Sequence, residues 1–267
     1  MNPFRAALQL PLALPAYHRQ CRQAWARRSD KVTKVVYGHH PRQYVLAVEP
    51  VAFVRPGHYA FYFHGGGWTF GRPEQFLAAA IPWLEQGYRI FLPSYRRPPE
   101  VGLNRIVQDC RAAVARVVPN EPAIDLQLGG ISAGAHLATL LALDSEAWRT
   151  GRWSNPPTAV LACAGPLDFG LLRPRRVFLP RYRHLDPSAR LDVAEARNKR
   201  WLLVHGTADA TVTVAHSRNF HRHLTEAGAP ADIMELPGGT HLDAGRWMFG
   251  GTGAEEVRRF IGGNRPT

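Results

Sequence analysis

What is scarce in this 267-residue sequence limits the kind of protein it can be. Its three cysteines, Cys21, Cys110 and Cys163, are odd in number and widely spaced, so they form neither a disulfide framework nor a metal or redox motif. Lysine occurs only at positions 31, 34 and 199, so that 30 of the 33 basic residues are arginine. No apolar run approaches the length of about 20 residues that a membrane-spanning helix needs.

The beginning of the sequence, MNPFRAALQLPLALPA, contains a short apolar run that has to be compared with a signal peptide. Gln9, Pro11 and Pro15 interrupt this run, and a single arginine precedes it, which is atypical of a signal peptide. We therefore interpret residues 1–30 as an N-terminal arm or partial cap, helical around residues 17–28. A cytoplasmic protein is expected, with secretion as the alternative.

The formal net charge is +12 at pH 7, which raises the question of a polyanionic partner. Such a balance can reflect nucleic acid, an acidic surface or an anionic substrate. The arginines, however, are scattered in short clusters, and the sequence has no basic helix or nucleic-acid motif. A nucleic-acid partner is therefore not expected; a steep loss of binding with added salt would indicate one.

After residue 30, short apolar segments begin to alternate with segments of helical periodicity. The segments that predict strands are 31–38, 43–50, 58–65, 89–95, 124–130, 158–165, 200–206 and 231–237. Helical patterns lie at 75–87 (with Pro82 as a break), 103–119, 133–143, 216–228 and 253–261. This alternation predicts an α/β fold: a mostly parallel eight-stranded sheet with an antiparallel N-terminal hairpin at its edge and helices on both faces. Residues 31–267 would form one domain with a short lid-like insert at about 167–198.

Two glycine-rich turns follow predicted strands, at the sheet edge where active sites of such folds lie. The sequence HGGGW (64–68) offers bare backbone amides that could stabilise a negatively charged oxygen. The sequence GISAG (130–134) places Ser132 on a strand-to-helix turn, where bulkier neighbours would collide with it. Ser132 is thus the candidate nucleophile, and the candidate oxyanion hole consists of the amides of Gly66, Gly67 and Ala133.

A serine nucleophile needs a base, and the base needs an orienting acid. His241 follows the last predicted strand and Asp209 follows the one before it, so that the chain order is Ser132, Asp209, His241. Asp243 is a rival acid but lies too near His241 in sequence, and Asp168 is another. Asp209 is the preferred acid.

Other residues receive less specific interpretations. Asp168 is expected to organise its loop or to face the substrate, while Trp68 and Phe178 could line an apolar acyl pocket. Asp109, in the middle of a predicted helix, is interpreted as structural and is expected to pair with an arginine such as Arg96.

At these residues the sequence resembles the α/β-hydrolase superfamily, and within it the esterases with an HGGGW oxyanion loop. The resemblance covers about residues 31–262 and is carried by FHGGGWTFG, PSYRRPP, the aspartate at 109, GGISAGAHLA and HGTADATV. The GxSAGAHLA form is especially similar to carboxylesterases and kynurenine-formamidase-like members. The chain keeps Gly67, the third glycine of the loop, which formamidases usually vary.

The resemblance implies a serine hydrolase that cleaves a carboxylic ester of a small or medium substrate through an acyl-enzyme, without a metal or organic cofactor. Three alternatives stay open. The same triad could serve an arylformamidase or other amide hydrolase, or a biosynthetic acyl-transfer enzyme. The scaffold could also belong to a non-catalytic binding protein.

Overall fold

A computed structural model describes residues 3–119, 121, 124–145, 155–172 and 181–263, with only the backbone of residues 3–9. In this part of the chain, eight strands form one sheet: β1 (Lys31–Val36), β2 (Tyr44–Glu49), β3 (His58–Phe63), β4 (Arg89–Pro93), β5 (Asp125–Ile131), β6 (Ala159–Cys163), β7 (Arg200–Gly206) and β8 (Ala231–Leu236).

The strands lie in the order β1-β2-β4-β3-β5-β6-β7-β8. β1 pairs with β2, and β2 with β4, in antiparallel register, and every other pair is parallel. The predicted mostly parallel sheet with an antiparallel hairpin at its edge is confirmed. Because β3, β5, β6, β7 and β8 all run the same way, the turns that follow them meet at one edge of the sheet.

The helices in the described residues pack on both faces of this sheet, and short 3-10 segments connect them. The helices are α1 (Pro3–Trp25), α2 (Ile81–Glu85), α3 (Leu103–Val117), α4 (Ala133–Ala142), α5 (Val193–Arg197), α6 (Ala215–Glu226) and α7 (Ala254–Ile261). The 3-10 segments are Pro73–Ala80, Arg183–Leu185, Ser188–Arg190 and Asp243–Phe249. One buried apolar cluster joins α3, α4 and α6 to the sheet. The other joins α1, α2 and α7 to the opposite face. None of the described helices is both long and apolar enough to cross a membrane.

Two details of the predicted helices are wrong. Helix α1 ends at Trp25 and begins at Pro3, well before the predicted residues 17–28, and it contains Pro11 and Pro15. Pro82 does not break its segment but lies in the first turn of α2, where its missing N–H costs no helical hydrogen bond. The irregular residue is Phe76, whose φ of −123° departs from helical values.

Helix α1 is held by tertiary contacts with a segment far along the chain. The hydroxyl of Tyr17 lies 3.4 Å from the carbonyl oxygen of Gly245, and the Tyr17 ring packs edge-on against Phe249 with centroids 5.5 Å apart. A Cβ at Gly245 would lie 2.2 Å from the Tyr17 hydroxyl, so only glycine permits this approach. Packing of this kind stabilises a helix whose prolines would weaken it in isolation.

The expected pairing of Asp109 with Arg96 is confirmed. Asp109 is buried, and both of its carboxylate oxygens accept hydrogen bonds from Arg96, the shortest from Nη2 at 2.6 Å. Cys21, Cys110 and Cys163 are free and buried, and burial raises the pKa of Cys163 to about 12, so its thiol stays protonated.

Candidate active site

Ser132 lies between the last residue of β5 and the first residue of α4, in a backbone conformation that non-glycine residues rarely adopt. Its φ is 56° and its ψ is −123°. The Ser132 amide donates to the carbonyl oxygen of Cys163 at 2.8 Å, which ties this turn to β6. The side chain is half-buried and lines a cavity at the edge of the sheet.

Two glycines make this turn sterically possible. A Cβ at Gly130 would lie 2.4 Å from the carbonyl carbon of Gly134, and a Cβ at Gly134 would lie 1.9 Å from the carbonyl oxygen of Phe63. Real Cβ atoms do not approach so closely. The glycine two positions before and the glycine two positions after Ser132 therefore let α4 pack directly against β3 and β5.

His241 follows β8 and contacts Asp209, which follows β7. Nδ1 of His241 lies 2.7 Å from Oδ2 of Asp209, and both side chains are buried. The other Asp209 oxygen, Oδ1, accepts from the backbone amides of Thr211 and Val212 at 2.8 and 2.9 Å. Burial alone would raise the pKa of Asp209, but hydrogen bonds from His205 and His241 outweigh it and hold the pKa below its ordinary value. Asp209 is therefore ionised and fixed in orientation.

The second histidine beside Asp209 was not identified from the sequence. Nε2 of His205 lies 2.8 Å from the carbonyl oxygen of Val212 and 3.2 Å from Oδ2 of Asp209, and Nδ1 lies 2.7 Å from the Ser217 hydroxyl. Because Nε2 faces two acceptors, it carries the proton and donates it. His205 lies near the end of β7 and is the first residue of the sequence HGTAD, whose last residue is the candidate acid Asp209. This proximity in sequence was the signal available for identifying His205.

The rival acids lie elsewhere. Asp243 accepts from the amide and hydroxyl of Thr240 at 2.7 and 2.8 Å and pairs with Arg246. Asp168 accepts from the amide of Gly170 at 2.8 Å and lines neither of the cavities described below. Both carboxylates organise their own loops, and of the three candidate acids it is Asp209 that contacts His241.

The glycine loop after β3 (residues 64–68) turns sharply, with three successive residues at positive φ. Gly66, Gly67 and Trp68 have φ values of 126°, 53° and 61°, and the carbonyl oxygen of Gly66 accepts from the amides of Thr69 and Phe70 at 2.9 Å each. Within the described part of the chain, the amides of Gly66, Gly67 and Ala133 donate to no other group. All three residues line the Ser132 cavity, where these amides can serve as donors to a substrate oxygen.

A buried histidine supports this loop from below. The ring of His64 stacks on Tyr95 with centroids 4.4 Å apart, and its Nδ1 lies 2.8 Å from the carbonyl oxygen of Gly65. Burial lowers the pKa of His64 to about 4, against the opposing effect of that carbonyl, so the ring is neutral at neutral pH. Its role is packing and positioning of the loop.

Trp68 connects the glycine loop to the segment between β6 and β7. Its Nε1–H donates to Nδ1 of His136 at 3.3 Å, and Nε2 of His136 lies 2.8 Å from the carbonyl oxygen of Leu185. His136 is fully buried, and burial lowers its pKa to about 4. A neutral imidazole thus accepts from one segment and donates to the other. Trp68 also lines the Ser132 cavity, whereas Phe178 lies outside the described residues.

The Ser132 cavity has a volume of about 310 Å³ and contains both Ser132 and His241 in its wall. Its remaining side chains are mainly apolar, including Phe76, Leu172 and Val212. Helix α1 contributes a further part of the wall, which sequence reasoning did not assign to particular residues: Leu10, Leu14 and His18. The cavity can therefore hold an apolar group next to a serine, a histidine and three backbone amides.

Comparisons with known proteins find esterases among the similar sequences and structures. The sequence model of the BD-FAE family matches residues 49–176, just under half of the chain. The chain is 28% identical over 247 residues to the probable isoprenylcysteine alpha-carbonyl methylesterase ICMEL1 of Oryza sativa subsp. japonica, which covers 80% of this chain and 58% of that protein. It is 27% identical over 286 residues to the esterase LipQ of Mycobacterium tuberculosis, which covers 96% and 66%. The chain thus spans about three-fifths of the length of these curated relatives.

Solved structures of esterases share the fold. An esterase from Pyrobaculum calidifontis superposes with a TM-score of 0.70 at 17% identity and 98% coverage of both chains. A bacterial heroin esterase superposes with a TM-score of 0.70 at 20% identity, covering 94% of this chain and 89% of that one.

Proposed function

We propose that this chain is a member of the α/β-hydrolase superfamily and hydrolyses carboxylic esters through a covalent acyl-enzyme on Ser132. The observation that carries the proposal is the placement of three groups: Ser132 on its strained turn, His241 in the wall of the same cavity, and Asp209 at 2.7 Å from His241. The esterase names of the curated relatives and of the structural neighbours support the choice of an ester as substrate.

In the proposed mechanism, the oxygen of Ser132 attacks the carbonyl carbon of the ester while His241 takes its proton. Nδ1–H of His241 donates a hydrogen bond to Asp209, so Nε2 is the atom that accepts the proton of Ser132. The ionised carboxylate then stabilises the imidazolium that forms. His241 returns the proton to the leaving alcohol, and a water molecule activated by the same histidine hydrolyses the acyl-enzyme.

The negative oxygen of the tetrahedral intermediate would receive hydrogen bonds from the amides of Gly66, Gly67 and Ala133. Because Ala133 is the first residue of α4, its amide has no helical partner and lies at the positive end of the helix dipole. Loss of one such donor in related sites typically costs about 3 kcal/mol of barrier. The glycine conformations thus serve transition-state binding.

The substrate class follows from the cavity. About 310 Å³ is at the lower end of the range of small-molecule sites, and the wall is mainly apolar, which favours a small or medium acyl group. In this proposal Trp68 lines the acyl site. Asp168 acts through its loop, because it is occupied by Gly170 and Asn219.

The test is hydrolysis of 4-nitrophenyl esters from acetate to octanoate by the wild-type protein and by Ser132→Ala, with N-formylkynurenine assayed in parallel. We expect ester turnover with an optimum at short or medium chain length and its loss in the variant. Ser94→Ala, which removes another buried serine hydroxyl outside the Ser132 cavity, is the matched control.

A fluorophosphonate that labels wild type but not Ser132→Ala would identify the nucleophile independently of the substrate. Faster turnover of N-formylkynurenine than of any ester would replace esters by formamides as the substrate class. Absence of both turnover and labelling would overturn the proposal in favour of a binding protein.

A further inference from the structure

A second, more open cavity of about 590 Å³ adjoins the Ser132 cavity. The two share Leu14 and His18 of α1 and Phe70 and Gly71 of the glycine loop. These four residues therefore lie at the junction of the two cavities.

The wall of the second cavity is strongly basic. It contains four arginines, of which Arg19, Arg22 and Arg72 are exposed and Arg97 is half-buried. The first two lie on α1, the third precedes the 3-10 segment Pro73–Ala80, and the fourth follows β4. Among its described lining residues there is no aspartate or glutamate, and none of these arginines belongs to an ion pair of the described residues. Guanidinium groups gathered without a counter-charge create a positive potential that attracts an anion.

Arg97 is positioned by the glycine loop itself. Its Nη1 donates to the carbonyl oxygen of Gly71 at 2.8 Å, and a Cβ at Gly71 would lie 2.5 Å from the carbonyl oxygen of Gly65. The basic cavity and the candidate oxyanion loop are thus parts of one packed unit.

His18 lies where the two cavities meet and has an unused donor. Only 9% of its surface is exposed, and Nε2 has no hydrogen-bond partner. Nδ1 lies 3.4 Å from Nε2 of Gln75, whose amide can donate only if His18 carries its proton on Nε2. Burial and the nearby Arg22 lower the pKa of His18, so the ring is neutral and its Nε2–H group is buried beside the junction without an acceptor. A buried donor without an acceptor is costly unless a ligand supplies one.

We propose that the second cavity binds an anionic group, with carboxylate as the chemistry to be tested, on the same substrate whose ester is cleaved at Ser132. The arginines neutralise this group and His18 Nε2–H donates to the part of the substrate that crosses the junction. This inference rests on the proposed esterase function and narrows its substrate class to esters that carry a negative charge.

The anion can belong to the acyl part or to the alcohol part of the substrate, and two matched pairs distinguish these sources. The first pair is 4-nitrophenyl pentanoate and mono-4-nitrophenyl glutarate, which differ in a terminal carboxylate on the acyl chain. The second pair is phenyl butyrate and 4-carboxyphenyl butyrate. Arg19→Gln/Arg22→Gln is the test variant. Arg116→Gln/Arg222→Gln is the control, because it removes the same charge at two exposed arginines that line neither cavity.

We expect the test variant to lower kcat/KM for one anionic substrate about tenfold, equivalent to about 1.4 kcal/mol, and to leave its neutral partner within about twofold. The control variant should leave both within about twofold. His18→Phe should act like the test variant, and His18→Gln, which keeps a donor, should act less. Equal loss for both members of each pair, or no loss, would overturn the inference.

A binding measurement separates this inference from the esterase proposal. Glutarate should raise the melting temperature of wild type and of the control variant but not of Arg19→Gln/Arg22→Gln. If neutral esters are hydrolysed and glutarate has no such effect, the anion site is wrong and the esterase proposal stands. If no ester is hydrolysed but glutarate stabilises the wild type through these arginines, the anion site stands alone.

Discussion

Replacing Asp209 by asparagine keeps the shape of the side chain but converts one of its two oxygens into an NH₂ group. The carboxylate has donors on both sides: the amides of Thr211 and Val212 face Oδ1, while His241 and His205 face Oδ2. If the NH₂ group faces the histidines, it donates to Nδ1 of His241, which must then carry its proton on Nε2. That tautomer cannot accept the proton of Ser132. If the NH₂ group faces the amides instead, two backbone donors lose their acceptor.

The magnitudes follow from these two orientations. The wrong tautomer in a Ser-His-Asp triad costs about 10⁴-fold in kcat, and each buried donor left without an acceptor costs about 1–3 kcal/mol of stability. We therefore expect kcat for 4-nitrophenyl butyrate to fall by about 10³- to 10⁴-fold. The orientation that leaves both backbone amides paired is favoured, so the free energy of unfolding should fall by only about 1–3 kcal/mol, because the Nε2–H group of His205 loses its contact with Asp209.

Steady-state kinetics and urea unfolding measure the two effects. The matched control is Asp168→Asn, the same chemical change at a carboxylate that bonds Gly170 and Asn219 rather than His241. The control should keep kcat within about threefold. A loss of less than about tenfold in Asp209→Asn, or an equal loss in Asp168→Asn, would refute the assignment of Asp209 as the orienting acid.

Three further predictions concern the turn, the buried histidines and the loop. Gly134→Ala should lower the free energy of unfolding by about 3 kcal/mol or more, because its Cβ would lie 1.9 Å from the carbonyl oxygen of Phe63. The control Gly238→Ala, at φ 67° in open space, should lower it by only about 1–2 kcal/mol. Urea unfolding compares the two variants, and a stabilised Gly134→Ala would contradict the steric argument. Trp68→Phe should keep the cavity wall but lose the hydrogen bond to His136. Because a hydrogen bond between uncharged groups is worth about 1 kcal/mol, we expect kcat/KM for neutral esters to fall by about 2- to 10-fold. Unchanged kinetics would exclude a positioning role for Trp68. Burial lowers the pKa values of His64, His136 and His216 to about 4 in the folded protein. The free energy of unfolding should therefore fall as the pH drops from about 6.5 to about 4, because in this range the unfolded chain binds protons at these histidines and the folded protein does not. Unfolding midpoints that do not change between pH 7 and pH 5 would be inconsistent with neutral buried histidines.

Much of the fold could be predicted because the hydrophobic periodicity of each segment and the turn residues that end it indicate the same strands. β7 was predicted at 200–206 and is observed as Arg200–Gly206, since it is a short apolar run that ends at a glycine. Short strands, glycine turns and helical periods are local signals. Once the strands are parallel, their order along the chain brings Ser132, Asp209 and His241 to one edge, and the catalytic roles of these residues remain predictions.

The features that were missed depend on tertiary contacts. Helix α1 begins at Pro3 although Pro11 and Pro15 argue against a helix, and Tyr17 is buried by packing against Phe76 and the segment 243–249. The spacing of Leu10, Leu14 and Tyr17 was a helical signal, but nothing local says that it faces a cavity. His205 was overlooked because its contact with Asp209 depends on how the loop after β7 turns back.

The docking of α1 also has a consequence for the order of folding. Tyr17 and Gly245 are separated by 228 positions, so the loop between them closes only when the whole sheet is available. We therefore expect a helix completed by such a contact to form late in folding and to be lost early in unfolding. The strained turn at Ser132 depends on β3, β5 and β6, which lie much closer together in sequence than Tyr17 and Gly245. We therefore expect the nucleophile turn to exist before the wall that encloses it, so that a partly folded chain would expose a formed serine turn without a binding cavity.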